Sequence, residues 1–244
     1  MEQILKGIDV SAWKENIDWD QAAKAVDFVI LRLGFGKNNP DKQAQRNISE
    51  LNRLGVPYGV YWFSYAYTEE MARSEARYAL QRLKEFGAKL SYPVYFDWEY
   101  DSRSYAEKNG VKPTKALVRQ MATAFCEEIR AAGLYPGIYT NPDYIQSFYG
   151  EEIFEKYDLW LAQYAAKAGR EARMWQYSSS GKVPGISGGV DMNRCCFDYP
   201  ALIAPEESSY LLLAGAYRDP AQAHGIMEKL ESLGIRGTLV EVRP

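Results

Sequence analysis

A single histidine, His224, lies near the C-terminal end, and residues 1–223 have none. That absence removes Ser-His-Asp triads, Cys-His pairs and His-based zinc sites from most of the chain. Chemistry there must use carboxylates, tyrosines, lysines or backbone groups. Cysteine is almost as scarce. Cys126, Cys195 and Cys196 are odd in number and two are adjacent, so they form no disulfide framework. The pattern suits folding in a reducing compartment. No apolar run approaches membrane-spanning length. The first residues, Met1-Glu-Gln-Ile-Leu-Lys-Gly7, lack the basic and then apolar pattern of a signal peptide. Synthesis in the cytoplasm is therefore expected. The net charge is −3 with no basic block, which argues against nucleic acid as a partner.

What is present is a globular composition with an aromatic excess. The 244 residues are 47% hydrophobic, with 19 Tyr and 6 Trp. That length suits one large α/β domain with a small appendix. Residues 4–10, 28–33, 57–63, 92–98, 135–140 and 158–163 read as strands. Helices are expected over 18–25, 41–54, 68–86, 113–132 and 143–149. Thr68 serves as a cap, and Gly55, Gly87 and Gly133 as stops. Residues 34–39 lack the spacing of a phosphate loop and read as a turn. Residues 101–112 read as a polar loop. Two further strands, over 173–178 and 189–194, leave no room for helices. Strand alternating with helix is the signature of a parallel sheet, and eight such strands can close. An open doubly wound sheet shares that signature, but no Gly-rich nucleotide fingerprint follows the first strand.

The stretch Tyr92-Pro-Val-Tyr-Phe-Asp97-Trp-Glu99-Tyr100 organises the rest. Alternation puts Val94, Phe96 and Trp98 on one face and Tyr95, Asp97 and Glu99 on the other. Acids at the C-terminal end of an apolar strand are where an α/β barrel carries its chemistry. Two carboxylates this close do not ionise independently, so one pKa should rise, as a general acid requires. Asp9 ends the first strand and Asp191 lies in the eighth, each flanked by outward apolar residues. In a closed barrel these four acids surround one mouth. Only Arg32 and Arg194 look near enough to pair with them. A Mg²⁺ or Ca²⁺ site from oxygen ligands is the structural alternative; no metal or other cofactor is expected.

The segments Lys6-Gly-Ile-Asp-Val-Ser-Ala-Trp13, Tyr58-Gly-Val-Tyr-Trp-Phe63, Pro93-Val-Tyr-Phe-Asp-Trp-Glu99, Pro136-Gly-Ile-Tyr-Thr-Asn141, Asp158-Leu-Trp-Leu-Ala162, Met174-Trp-Gln-Tyr177 and Gly189-Val-Asp-Met-Asn193 resemble glycoside hydrolase family 25, the Chalaropsis-type lysozymes or N-acetylmuramidases. The likeness covers about residues 5–198. It implies an α/β fold, a flattened (β/α)5(β)3 TIM-like barrel, and cleavage of peptidoglycan between N-acetylmuramic acid and N-acetylglucosamine without cofactor. The family's acids fall on Asp9, Asp97, Glu99 and Asp191. Glu99 would be the general acid. Asp97 would either orient the substrate's 2-acetamido group as internal nucleophile or act directly as nucleophile or stabiliser. Asp9 and Asp191 would shape the site. Tyr61 and Tyr139, near strand ends, are chosen as sugar contacts. The alternatives are an inactive peptidoglycan-binding module and a chitin-active or autolytic relative. A phage or prophage endolysin released through a holin fits the missing signal peptide.

The barrel is expected over residues 1–200, a linker over 201–208, and a β-α-β segment over 209–244. In that segment, residues 210–216 and 237–242 read as strands around a helix over 219–233. The segment is similar to half of a SPOR domain, which implies wall binding, or a homodimer in which two halves pair. A stabilising tail is the simpler reading.

Overall fold

The computed structural model describes residues 4–14, 16–203 and 219–232. The chain divides into two compact units, Met1–Pro205 and Glu206–Pro244. In the first, nine strands form one sheet. They are β1 (Leu5–Val10), β2 (Phe28–Phe35), β3 (Asn39–Pro40), β4 (Tyr58–Phe63), β5 (Val94–Asp97), β6 (Pro136–Thr140), β7 (Asp158–Ala162), β8 (Met174–Gly181) and β9 (Val190–Cys195). The order is β1-β9-β8-β7-β6-β5-β4-β2-β3, and β1 also pairs with β2. Eight strands therefore close into the expected barrel. The ninth, β3, is a two-residue hairpin arm on β2.

One feature departs from an all-parallel sheet. β9 runs antiparallel to both β8 and β1. A parallel return needs a crossover of a dozen or more residues, and only residues 182–189 join β8 to β9. The start of β9, not its end, therefore reaches the mouth formed by the C-terminal ends of the other strands.

Alternation along each strand separates two cores. Ile8, Val10, Val29, Leu31, Val60, Trp62, Val94, Phe96, Trp98 and Ile138 face outward under the helices. Phe28, Ile30, Tyr95, Tyr139, Trp160, Met174 and Cys195 fill the interior. Large inward rings sit opposite glycine in register: Phe28 beside Gly7, and Tyr95 beside Gly137. A Cβ on Gly7 would lie 2.3 Å from the Phe28 ring, and one on Gly137 2.5 Å from Tyr95. Trp160 is the hub, with ring centroids 4.5 Å from Tyr139, 5.0 Å from Tyr95 and 5.9 Å from Tyr61.

The outer layer is α1 (Trp19–Ala22), α2 (Ala44–Leu54), α3 (Glu69–Glu85), α4 (Tyr100–Lys108), α5 (Lys115–Ala131) and α6 (Pro142–Tyr144), which runs on into a π turn over Ile145–Tyr149. Thr68 and Thr114 cap α3 and α5 through their hydroxyls, as helix starts require. Gly55 and Gly133 end α2 and α5 at φ of 66° and 79°. The polar loop expected over 101–112 is instead α4 for most of its length. It is polar on nearly every face, burying only Ser102 and Ala106, so no apolar period announces it. An Arg103–Glu107 pair at 2.8 Å and the Ser102 hydroxyl, which accepts from the Glu99 N–H at 3.0 Å, support it.

After β9, α7 (Tyr199–Ile203) crosses position 201, where the sequence suggests a linker. In the second unit, α8 (Pro220–Ser232) covers the helix expected over 219–233. Ala223, Ile226, Met227 and Leu230 are half-buried on it, and His224 is exposed. The strands expected over 210–216 and 237–242, and most of the expected linker, lie outside the described residues.

Candidate active site

The mouth gathers all four acids. Asp97 is the last residue of β5, and Glu99 follows two positions later at the start of α4. Asp9 on β1 and Asp191 on β9 are direct cross-strand partners, so both side chains point to the same face. Asp191 reaches the mouth only because β9 is reversed. The barrel interior supplies the low-dielectric wall, and the charges pay for it in raised pKa values.

Asp97 is 3% exposed. Burial, the charges of Glu99 and Asp9, and a hydrogen bond with Glu99 push its carboxyl well above the usual range, while Arg32 pulls it down. Its Oδ1 is buried with no hydrogen-bond partner. Glu99 is half-buried at the rim. Burial raises it to about 7, the hydrogen bond with Asp97 opposes that rise, and the charges of Asp101 and Asp191 add to it. One proton is thus held between two carboxylates, with Asp97 the inner and Glu99 the outer member.

Asp9 is also pushed up to about 7, by burial and by the facing Asp191 charge. Its Oδ2 accepts from Gln176 Nε2 and from Asn193 Nδ2, both at 2.8 Å. Those amides are themselves held. Gln176 Oε1 accepts from the Tyr139 hydroxyl at 3.0 Å and the Tyr164 hydroxyl at 3.2 Å. Asn193 Oδ1 accepts from Trp160 Nε1 at 2.8 Å. Asp191 is half-buried and raised by burial, with Lys14 acting against the rise.

Tyr139 lies beside Asp97 in register, on the mouth wall, with its hydroxyl engaged by Gln176. Tyr61 faces inward from β4 beside Arg32, half-buried. Further aromatics stand at the rim: Trp13 is 84% exposed after β1, Tyr164 59% after β7 and Tyr100 53% after β5. Phe63, Tyr65 and Tyr105 form a chain of rings with centroids 5.2 Å apart at each step.

Neither expected counter-cation pairs with the four acids. Arg194 faces outward, its guanidinium 4.8 Å from the Tyr177 ring centroid, because it has the opposite strand parity from Asp191. Arg32 does face the mouth, but its ion pair is with Asp41 at 2.7 Å. Among the described residues no group of three or more His, Cys, Asp or Glu is placed to hold a metal ion. The sequence reading missed Gln176 and Asn193. Inward parity with Met174 and Asp191 is the signal that points to them.

A buried carboxylate beside a half-buried one of raised pKa, at a barrel mouth rimmed by aromatic rings, is the equipment of glycoside hydrolysis. Comparison with known proteins makes the assignment specific. The model of glycosyl hydrolases family 25 matches residues 8–186, and the chain belongs to that family. The uncharacterised protein YegX of Escherichia coli O157:H7 is 29% identical over 202 residues, covering 78% of this chain and 68% of YegX. Lysozyme M1 of Streptomyces globisporus is 24% identical over 200 residues, covering 78% and 67%. Among solved structures, the modular autolysin LytC of Streptococcus pneumoniae, in complex with a synthetic peptidoglycan ligand, superposes with a TM-score of 0.71 at 32% identity. The match covers 80% of this chain, which spans about half of LytC (47%).

Proposed function

We propose that this glycoside hydrolase cleaves bacterial peptidoglycan, as an N-acetylmuramidase acting on the β-1,4 bond between N-acetylmuramic acid and N-acetylglucosamine. The observation that carries the reading is the gathering of Asp97, Glu99, Asp9 and Asp191 at one mouth of the barrel, with Asp97 and Glu99 both held towards their protonated forms. The autolysin crystallised with a peptidoglycan ligand and the lysozyme relative support the substrate class.

Glu99 gives its proton to the glycosidic oxygen as the bond from C1 breaks. Water later adds at C1 and returns a proton to Glu99. Asp97 takes the second role. An inverting pair stands about 6.5–9.5 Å apart and a conventional retaining pair about 5–5.5 Å, on opposite sides of the bond. The placement here is side by side, Asp97 closing β5 and Glu99 two residues on, within reach of each other's charge. It suits substrate assistance, in which the acetamido oxygen attacks C1 and Asp97 holds the acetamido N–H. The unpartnered Oδ1 shows that this carboxyl has hydrogen-bonding capacity the fold leaves unused. Asp9 and Asp191 shape the far wall, and Tyr61 and Tyr139 contact the sugar.

Mass spectrometry of fragments from purified peptidoglycan tests this reading. Reducing-end N-acetylmuramic acid from the wild type, absent with Glu99→Gln, is the expected result. Reducing-end N-acetylglucosamine would move the cut to the other bond. Wall binding with no fragments would make the chain an inactive binding module. A phage or prophage origin, with release to the wall after cytoplasmic synthesis, is part of the same proposal. For the segment 209–244 the proposal is wall binding or pairing of two chains. Sedimentation showing a monomer at micromolar concentration would remove the pairing.

A further inference from the structure

Four acids at the mouth are faced by an inward arginine. Arg32 faces inward from β2, level with Tyr61. Its Nε donates to Asp41 Oδ2 at 2.7 Å, and the same oxygen accepts from the Ala12 N–H at 2.9 Å. Asp41 Oδ1 accepts from the Gln43 N–H at 2.9 Å. The Asp41 side chain is fully buried, while that of Arg32 keeps 17% of its exposure. Ala12 is followed by the exposed Trp13 and by half-buried Lys14. One buried carboxylate therefore anchors both the arginine and the start of the loop that carries the lysine. The charge of Arg32 reaches Asp97 and Tyr61, and that of Lys14 reaches Asp191. Among the described residues the two terminal nitrogens of Arg32 make no hydrogen bond, so the fork is unspent.

We infer that Arg32, at this corner of the mouth, binds a carboxylate carried on alternate sugars of the glycan. In doing so it sets which bond lies across Asp97 and Glu99. The inference rests on the peptidoglycan reading of the site. A polymer that alternates acidic and neutral sugars has two registers in a cleft, one sugar apart. A carboxylate that meets the four acids is repelled, and one that meets the guanidinium fork is held by paired hydrogen bonds. The register with the carboxylate at Arg32 therefore wins. A neutral glycan of N-acetylglucosamine alone has no such preference. The carboxylate belongs either to the lactyl group or to a peptide stem, and the two sources separate experimentally.

The test is calorimetric binding to the Glu99→Gln protein. The probes are stem-free strand fragments, the same fragments with their carboxyls converted to methylamides, and fragments with intact stems. Stem-free acid strands should bind about tenfold tighter than the amides, as expected for hydrogen bonds to a charged group. Adding Arg32→Gln should remove that preference. Adding Arg32→Lys, which keeps the ion pair with Asp41 and hence the fold, should cut it about threefold, because a point charge lacks the fork. A preference shown only by stem-bearing strands, and lost in the same variants, would place the carboxylate on the stem. Equal binding of all three, or a preference unchanged in the folded Arg32 variants, would overturn the inference. Binding is read whether or not turnover occurs. A wild type that cleaves nothing, yet keeps the Arg32-dependent preference, would break the hydrolase reading and leave the corner standing.

Discussion

The two ends of the barrel are built from the same residue types and use them in opposite ways. At the floor, Asp158 opens β7 and is fully answered. Arg173 Nη1 lies 3.1 and 2.9 Å from its two oxygens, and the Tyr199 hydroxyl donates to Oδ2 at 2.8 Å. Arg173 also lies 3.9 Å above the Phe197 ring, so the last segment of the unit seals that end. At the mouth, Asp97 closes β5 with an orphaned oxygen, no paired cation and a second carboxylate against it. An answered acid holds a fold together. An unanswered one costs stability and is kept where a proton must move.

The largest effect should come from Glu99→Gln at the mouth. It should lower kcat on peptidoglycan by about 10²–10⁴-fold, the usual worth of a general acid, with melting temperature unchanged or higher. A smaller loss, measured by reducing-end release, would move the acid role elsewhere. The pH profile is next. Glu99 works protonated and is raised to about 7. Turnover should hold below that value and fall roughly tenfold per pH unit above it. A profile still flat above about pH 8 would contradict the assignment.

At the floor the prediction reverses. Asp158→Ala strands the buried Tyr199 hydroxyl and should cost about 2 kcal/mol in denaturant unfolding. Little of that comes from Arg173, which is 43% exposed and screened. Activity per folded molecule should stay the same, and a large fall in kcat would end the division of labour between the two ends.

The smallest effect sharpens the comparison at a third acid. Glu75 on α3 is buried, accepts from the Tyr65 N–H at 3.0 Å and has an unpartnered Oε2. Burial raises it from 4.5 to about 8. The folded protein then keeps a proton that the unfolded chain releases above about 4.5. The stability this gives is complete below that pH and is lost as pH rises through about 8. Glu75→Gln mimics the protonated form, so it should raise the melting temperature by a few degrees at about pH 9 and leave it unchanged at about pH 4. Equal melting of the two proteins at both pH values would mean that the Glu75 carboxyl is not raised by the fold.

The barrel was legible because apolar alternation is local and Asp97 and Glu99 sit two residues apart at the end of such a run. The four acids could be brought to one mouth once eight strands were closed into a ring. Three things lay out of reach. The reversal of β9 depends on loop length, which sequence pattern shows but strand pattern does not. α4 has no apolar stripe, so only its i,i+4 charges hinted at it. The partners of Asp9 are amides 167 and 184 residues away, and neutral side chains carry no signature of the carboxylate they will hold. Arg32 was seen as a cation near the acids, but its grip on Asp41 depends on the β2–β3 turn.

The pairing of Asp9 with Asp191 also bears on when this protein becomes active. Asp9 lies on the first strand and its cross-strand partner on the last, and the amides that orient it arrive with β8 and β9. During synthesis, Asp97 and Glu99 emerge with more than half of the chain still to come, facing a ring that cannot yet close. The far wall exists only after β9 has left the ribosome and zipped antiparallel onto β1. A truncated or stalled product therefore carries its acid pair without a cleft. The glycoside hydrolase is armed only once its barrel is closed.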